Sequence, residues 1–201
     1  MKKTLEKSIL LALILAVLFT FTGFTQTCEN ISAKVLRLHV LANSDSEEDQ
    51  ALKLAVRDEL LRVSEGIFGG AENLGEAKAL TAEHLDFLRD AAQKEVFRRG
   101  YDYPVQVELV NMYFTTREYD TVTLPAGTYD ALRVTIGSGE GHNWWCVMFP
   151  PMCLPAAEEQ QELEDVLTAP EMDIVEDAPQ FEVRFKVVEW FEGLRDWFAS
   201  W

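Results

Sequence analysis

The sequence predicts an α+β domain in which two helices pack on a mainly antiparallel sheet. Three observations lead there. After one short alternating run, apolar residues in the first half of the chain recur at helical spacing. From Pro104 to Phe149 they alternate with period two. Turn residues then separate the segments in the order β-α-α-β-β-β. With 48% apolar residues, a domain of about 150 residues can bury roughly 70% of its unfolded surface without a metal or disulfide staple. The net charge of −16 would repel nucleic-acid phosphates, so no nucleic-acid partner is expected.

The chain opens with Lys2, Lys3 and Lys7 ahead of an apolar run from Ile9 to Phe19 that trails off at Phe24. A basic start and an apolar stretch shorter than the roughly 20 residues of a membrane span read as an export signal. Residues 1–27 are therefore expected to be a signal peptide or an N-terminal anchor. No small-x-small cleavage site stands out between Thr20 and Thr27, and Thr25-Gln26-Thr27 before Cys28 fits a lipidation site poorly.

A domain is expected over residues 31–155. Ile31 to Ala42 reads as a strand with Leu36, Leu38, Val40 and Ala42 on one face and Arg37 and His39 on the other. Ser44 and Glu47 have capping-box spacing, which starts a helix along Leu52, Val56, Leu60 and Val63. Gly66, Gly69 and Gly70 stop it. A second helix is expected from about Asn73 to Arg99, with its stripe along Ala77, Leu85, Leu88, Ala92 and Val96. Pro104 opens a strand through Val105, Val107 and Leu109. Two further strands, Glu118–Leu124 and Thr128–Ile136, flank Pro125-Ala126-Gly127 and predict a hairpin. Gly137–Gly141 leads into a last strand, His142–Phe149, ended by Pro150 and Pro151.

Residues 156–180 hold nine acidic residues and no Lys or Arg, which predicts a linker. In residues 181–201, Phe181, Val183, Phe185 and Val187 alternate like a strand. Trp190, Phe191, Leu194, Trp197, Phe198 and Trp201 then fall at helical spacing. A short amphipathic helix of this kind either docks on the domain or meets a partner or membrane surface, the latter through Trp190, Phe191, Trp197 and Trp201.

Chemistry-bearing motifs are sparse. Gly137-Ser138-Gly139-Glu140-Gly141-His142 lacks the sixth small residue and the following helix of a dinucleotide loop. His39, His84 and His142 lack metal-ligand spacing, so neither metal nor cofactor is expected. Cys146 admits two readings. It is a thiol nucleophile served by His142 or His39, or it closes an eight-residue loop as a disulfide with Cys153 around the Pro150-Pro151 turn. Trp144, Trp145, Phe149, Pro150 and Pro151 form the most conspicuous cluster, either capping the sheet or forming an interface.

Two sets of residues carry a resemblance. The first is Arg37-Leu38-His39-Val40-Leu41-Ala42-Asn43-Ser44-Asp45-Ser46, followed by Glu48-Asp49-Gln50-Ala51-Leu52-Lys53 and Val56-Arg57-Asp58. The second comprises Leu124-Pro125-Ala126-Gly127-Thr128-Tyr129, Ala131-Leu132-Arg133-Val134, and Asn143-Trp144-Trp145-Cys146-Val147-Met148-Phe149-Pro150-Pro151-Met152-Cys153. Together with Phe185–Trp190 they resemble the stage II sporulation protein R family. The resemblance implies an intercellular signal of endospore-forming bacteria, secreted from the forespore into the septal intermembrane space. There it triggers a membrane-embedded aspartic-type protease of the mother cell, which removes the pro-sequence of a sigma factor. It implies a ligand rather than an enzyme, with no catalytic residues to carry over. In that setting Trp144, Trp145, Phe149, Pro150, Pro151 and Met152 are expected to face the receptor. Gly137–Gly141 would let that loop adapt, and a Cys146–Cys153 bond would hold its shape. The alternatives are an exported envelope hydrolase using Cys146 and a passive envelope-binding module.

Overall fold

The computed structural model describes residues 8, 11–12, 22–119, 122–150, 163, 166–176, 181, 184–190 and 197. A helix, α1, covers residues 22–32 and leads into strand β1, Leu36–Leu41. Helices α2 (Glu47–Phe68), α3 (Leu74–Glu83) and α4 (Leu85–Arg98) follow. Then come β2 (Val105–Phe114), β3 (Arg117–Glu118), β4 (Thr123–Leu124), β5 (Gly127–Ile136) and β6 (Asn143–Phe149). Helix α5 is Ala169–Glu176, and α6 covers residues 184–190.

The α+β class holds. The main sheet has the order β2-β5-β1-β6. β2 runs antiparallel to β5 from Val105↔Ile136 to Phe114↔Gly127, and β6 runs antiparallel to β1 with His39 opposite Trp145. β1 and β5 are parallel, Leu36 lying opposite Asp130.

Strand alternation divides the core in two. Leu36, Leu38, Val40, Leu132, Val134, Ile136, Cys146 and Met148 point toward α2, α3 and α4, where they meet Leu52, Val56, Leu60, Leu88 and Val96. Each such large side chain, fully withdrawn from water, contributes about 1.5–3 kcal/mol. The opposite face carries Phe114, Tyr129, Ala131 and Val147 against Phe24, Cys28 and Ile31 of α1, Met172, Ile174 and Val175 of α5, and Phe185 and Val188 of α6. The sheet therefore has a second helical layer beyond the two predicted helices, drawn from segments the sequence reading assigned to the signal, the linker and the C-terminal tail.

Several local expectations change. Phe24, Cys28, Ile31 and Val35 are buried at helical spacing, so the expected strand start at Ile31 is the last turn of α1. The cap of α2 is Ser46, whose Oγ accepts from the Asp49 N–H, rather than Ser44 paired with Glu47. The predicted 73–99 helix breaks at His84, whose N–H reaches Leu80 and Thr81 and whose Nδ1 lies 2.9 Å from the Leu80 carbonyl. The hairpin predicted across Pro125-Ala126-Gly127 does not form, because β5 already pairs with β2 and β1. β3 and β4 pair with each other instead. Leu124, Pro125 and Ala126 are buried, and the Tyr129 hydroxyl donates to the Pro125 carbonyl at 2.7 Å. The strand expected over 181–187 is helical at residue 181 and over 184–190. Phe181, Phe185 and Val188 form an i, i+4, i+7 stripe that outweighs the alternating one. Trp190 is left 69% exposed on that helix. Phe191 and Trp201 lie outside the described residues, as does most of the expected signal segment. Among the described residues no helix is long and apolar enough to cross a membrane.

Candidate functional site

Two neighbouring features occupy the β1/β6 side of the sheet. The first is polar and sits where the parallel strands β1 and β5 end. The Asn43 Oδ1 accepts the Ser138 N–H at 3.0 Å, and the Asn43 carbonyl accepts the Ser138 hydroxyl at 2.7 Å. The Asn43 amide and the Ser44 hydroxyl both donate to Asp49 Oδ2, at 2.9 and 2.6 Å. The Gly141 N–H donates to Ala42 O and the His142 N–H to Asp45 Oδ1. Lys53 is buried and donates to Gln50 Oε1 and the His142 carbonyl. The Asn43–Asp49 turn is thus fastened to the loop 137–142. Glycine is required for the approach: a Cβ on Gly137, at φ +61°, would stand 2.2 Å from Asn43 Oδ1. Burial alone would raise the Asp49 carboxyl, but donors from Ser44, Asn43 and Tyr103 outweigh it and hold the group below its ordinary value. Burial lowers the Lys53 ammonium. The exposed Asp45–His142 pair at the rim adds little stability. This part builds a rigid corner, and the glycines serve close packing more than adaptability.

The second feature is aromatic and cationic. Arg37 and His39 project to the second face of β1 and are 0% and 4% exposed. Their surroundings come from β2, β3, β5 and β6. The guanidinium carbon of Arg37 lies 4.5 Å from the Phe114 ring centre and 5.0 Å from that of Tyr129, and Nη2 donates to the Tyr119 hydroxyl at 2.7 Å. His39 stacks flat on Trp145, 3.9 Å between centres at 8°. Phe114 meets Trp145 edge-on at 5.0 Å, and Arg117 lies over the Trp145 ring at 5.4 Å. Burial pushes the His39 imidazole below its ordinary value. Asn143 lies near enough to oppose this without completing a hydrogen bond, and the Arg133 charge adds to the lowering. Burial also pushes the Tyr129 phenol far up.

The predicted site residues do not stay together. Trp144 and Trp145, adjacent on β6, point to opposite faces. Trp144 packs against the α2–α4 core under the Arg57 guanidinium at 4.3 Å, with its Nε1 buried and unpartnered. Trp145, half-buried, belongs to the other face. Phe149 and Pro150 are buried, Phe149 edge-on to Phe68 at 6.1 Å, so neither is placed to face a receptor. Pro151, Met152 and Cys153 lie outside the described residues, and with them the Cys146–Cys153 pairing. Cys146 faces the α2–α4 core, whereas His39 lies on the opposite face and His142 pairs with Asp45 at the rim, so neither histidine is placed to serve the thiol as a base. Among the described residues no cluster of His, Cys, Asp and Glu could hold a metal ion. Arg37, Phe114 and Arg117 escaped the sequence reading as site residues. The only signal for Arg37 was its place on the polar side of an otherwise apolar strand.

The family model described as stage II sporulation protein R matches residues 32–159. The chain is similar to Stage II sporulation protein R of Bacillus subtilis (strain 168), 30% identical over 222 residues that cover 96% of this chain and 99% of that protein. No solved structure matches the chain.

Proposed function

The chain belongs to the stage II sporulation protein R family and has a role in sporulation, and from that premise we propose that it is an exported intercellular signal. It leaves the forespore for the septal intermembrane space and activates a membrane-embedded aspartic-type protease of the mother cell, which then processes a pro-sigma factor. The observation that carries this reading is the family match over residues 32–159 together with the similarity to the Bacillus subtilis protein across nearly the whole chain. The separation of Cys146 from His39 and His142 favours a ligand over a thiol hydrolase.

A signal of this kind shifts its receptor between states. A tenfold shift in the active population requires about 1.4 kcal/mol of preferential binding to one state. A single half-buried Trp at an interface can supply that. Trp145 suits the role: it lies on an edge strand, its ring is held flat by His39, and Arg117 covers it. Trp144 is its core-facing counterpart.

The test adds the purified full-length chain, or its variants, to cells displaying the protease and its pro-sigma substrate, with processing as readout. Trp145→Ala is expected to reduce processing about tenfold at unchanged secretion, with the native fold verified by circular dichroism because the lost ring also packs on His39 and Phe114. Trp144→Ala is expected to act through stability. Full processing with a folded Trp145→Ala removes the site assignment. Activation by a version retained inside the forespore removes the signalling reading.

A further inference from the structure

Among the described residues, four buried nitrogen atoms on one face of β1 lack a hydrogen-bond partner: Nε and Nη1 of Arg37, and Nδ1 and Nε2 of His39. Residues two apart on a strand point the same way, so the two groups are neighbours. The rings around Arg37 meet its charge with their π-electrons, and Nη2 donates to Tyr119, but the N–H groups of Nε and Nη1 are left idle. Among the described residues no carboxylate pairs with it. A desolvated cation with idle donors is costly unless a counter-charge completes it.

We propose that Arg37 and His39 form a carboxylate-binding site, filled by an acidic side chain of the protein that docks at the Trp145 edge of the sheet. The planar guanidinium offers two N–H groups to two carboxylate oxygens, and the neutral His39 ring adds a third donor through one nitrogen. The single buried guanidinium charge matches a singly charged carboxylate better than a doubly charged phosphate, whose second charge would be buried uncompensated. Tyr119, half-buried and bonded to Nη2, lies between the guanidinium and solvent only in part, so its ring is the group an entering carboxylate would displace. Phe114 touches both Arg37 and Trp145, so the buried charge and the surface ring share one wall. Arg117 places a second cation at the rim. In a chain of net charge −16 this cationic spot draws an acidic segment that the rest of the surface repels. The identity of the docking protein rests on the signalling reading. The carboxylate chemistry does not.

The test uses the full-length chain in mild detergent, with sodium acetate, sodium phosphate and a hexaglutamate peptide as probes, each against sodium chloride at equal ionic strength. Calorimetry and melting temperature are read. Acetate and the peptide are expected to bind and raise the melting temperature, the peptide more tightly. Arg37→Lys, which keeps charge but loses the fork, is expected to weaken binding at least about tenfold. Arg37→Met is expected to lose the response and, in chloride alone, to melt above the unsubstituted chain. His39→Phe, which keeps the stack on Trp145, reports on the third donor should Arg37→Met not fold, and is expected to bind acetate several-fold more weakly. An anion response unchanged by any of these substitutions, or one given by phosphate and not by carboxylates, overturns the site. Carboxylate binding that persists while processing ignores Arg37→Lys keeps the site and removes its link to signalling. Normal processing without carboxylate binding removes the site alone.

Discussion

Gly141→Ala tests the polar corner most directly. The added methyl would stand 2.2 Å from the Ser44 carbonyl oxygen, 2.5 Å from its carbon and 3.0 Å from the Ala42 Cβ. The obstacle is backbone, and that backbone is held: the Ser44 carbonyl accepts the Gln50 amide at 2.8 Å, in the turn that leads to the Ser46 cap of α2. Relief requires the 137–142 loop to lift. That loses the Gly141 N–H to Ala42 O bond at 2.9 Å and strains the Glu140 N–H to Asn43 O bond at 3.3 Å. Overpacking together with about one lost hydrogen bond gives a destabilisation of about 2–4 kcal/mol. Gly66→Ala supplies the control, because Gly66 lies inside α2 with nothing within 4 Å of the new methyl. There the substitution is expected to stabilise by about 0.5–1 kcal/mol through the helix backbone alone. Urea unfolding followed by far-ultraviolet circular dichroism measures both. A Gly141→Ala midpoint equal to or above that of the unsubstituted chain would refute the close-packing account.

The folded Asp49 carboxyl is held below its unfolded value of about 3.9, so its stabilisation is complete above about pH 5 and is lost as pH falls through the folded value. Asp49→Asn is expected to flatten the fall in urea midpoint between about pH 5 and pH 3. Leu88→Ala, at a fully buried position in α4, is expected to cost about 2–5 kcal/mol by thermal or urea unfolding. Arg57→Ala removes the cation over Trp144 and is expected to cost about 0.5–1 kcal/mol, read the same way. Phe24→Ala is expected to cost about 3–5 kcal/mol, because the ring stacks on Phe181 at 5.6 Å and tilts against Phe185 at 5.5 Å.

The sheet and the α2–α4 layer were legible because their signals are periodic and uncontested. Leu36, Leu38 and Val40 alternate, and Leu52, Val56 and Leu60 recur every four residues. The second layer was not legible, and each miss has a physical cause. Phe24 reads as the tail of an apolar run until Cys28 and Ile31 are seen to share its helix face. Phe181 and Phe185 satisfy a strand pattern with Val183 and a helix pattern with Val188, and tertiary burial chose the latter. His84 interrupts a helix without the glycine or proline that would announce it. At the site, the importance of Trp145 was legible from composition, but its division of labour with Trp144 follows from strand alternation. The Arg37 cluster draws on β1, β2, β5 and Tyr119 just after β3, and no local window of sequence contains such a meeting.

The ring of Phe24 finds its neighbours in Phe181 and Phe185, near the opposite end of the polypeptide. A ribosome releases the amino terminus first, so Phe24 emerges long before Phe181 and Phe185, the two rings that cover it. Unlike the α2–α4 side, which can assemble around contacts closer in sequence, that face is completed only when distant segments of the chain meet. Premature termination before residue 181 would leave Phe24 without the two rings that cover it, exposing an apolar patch rather than merely shortening the protein.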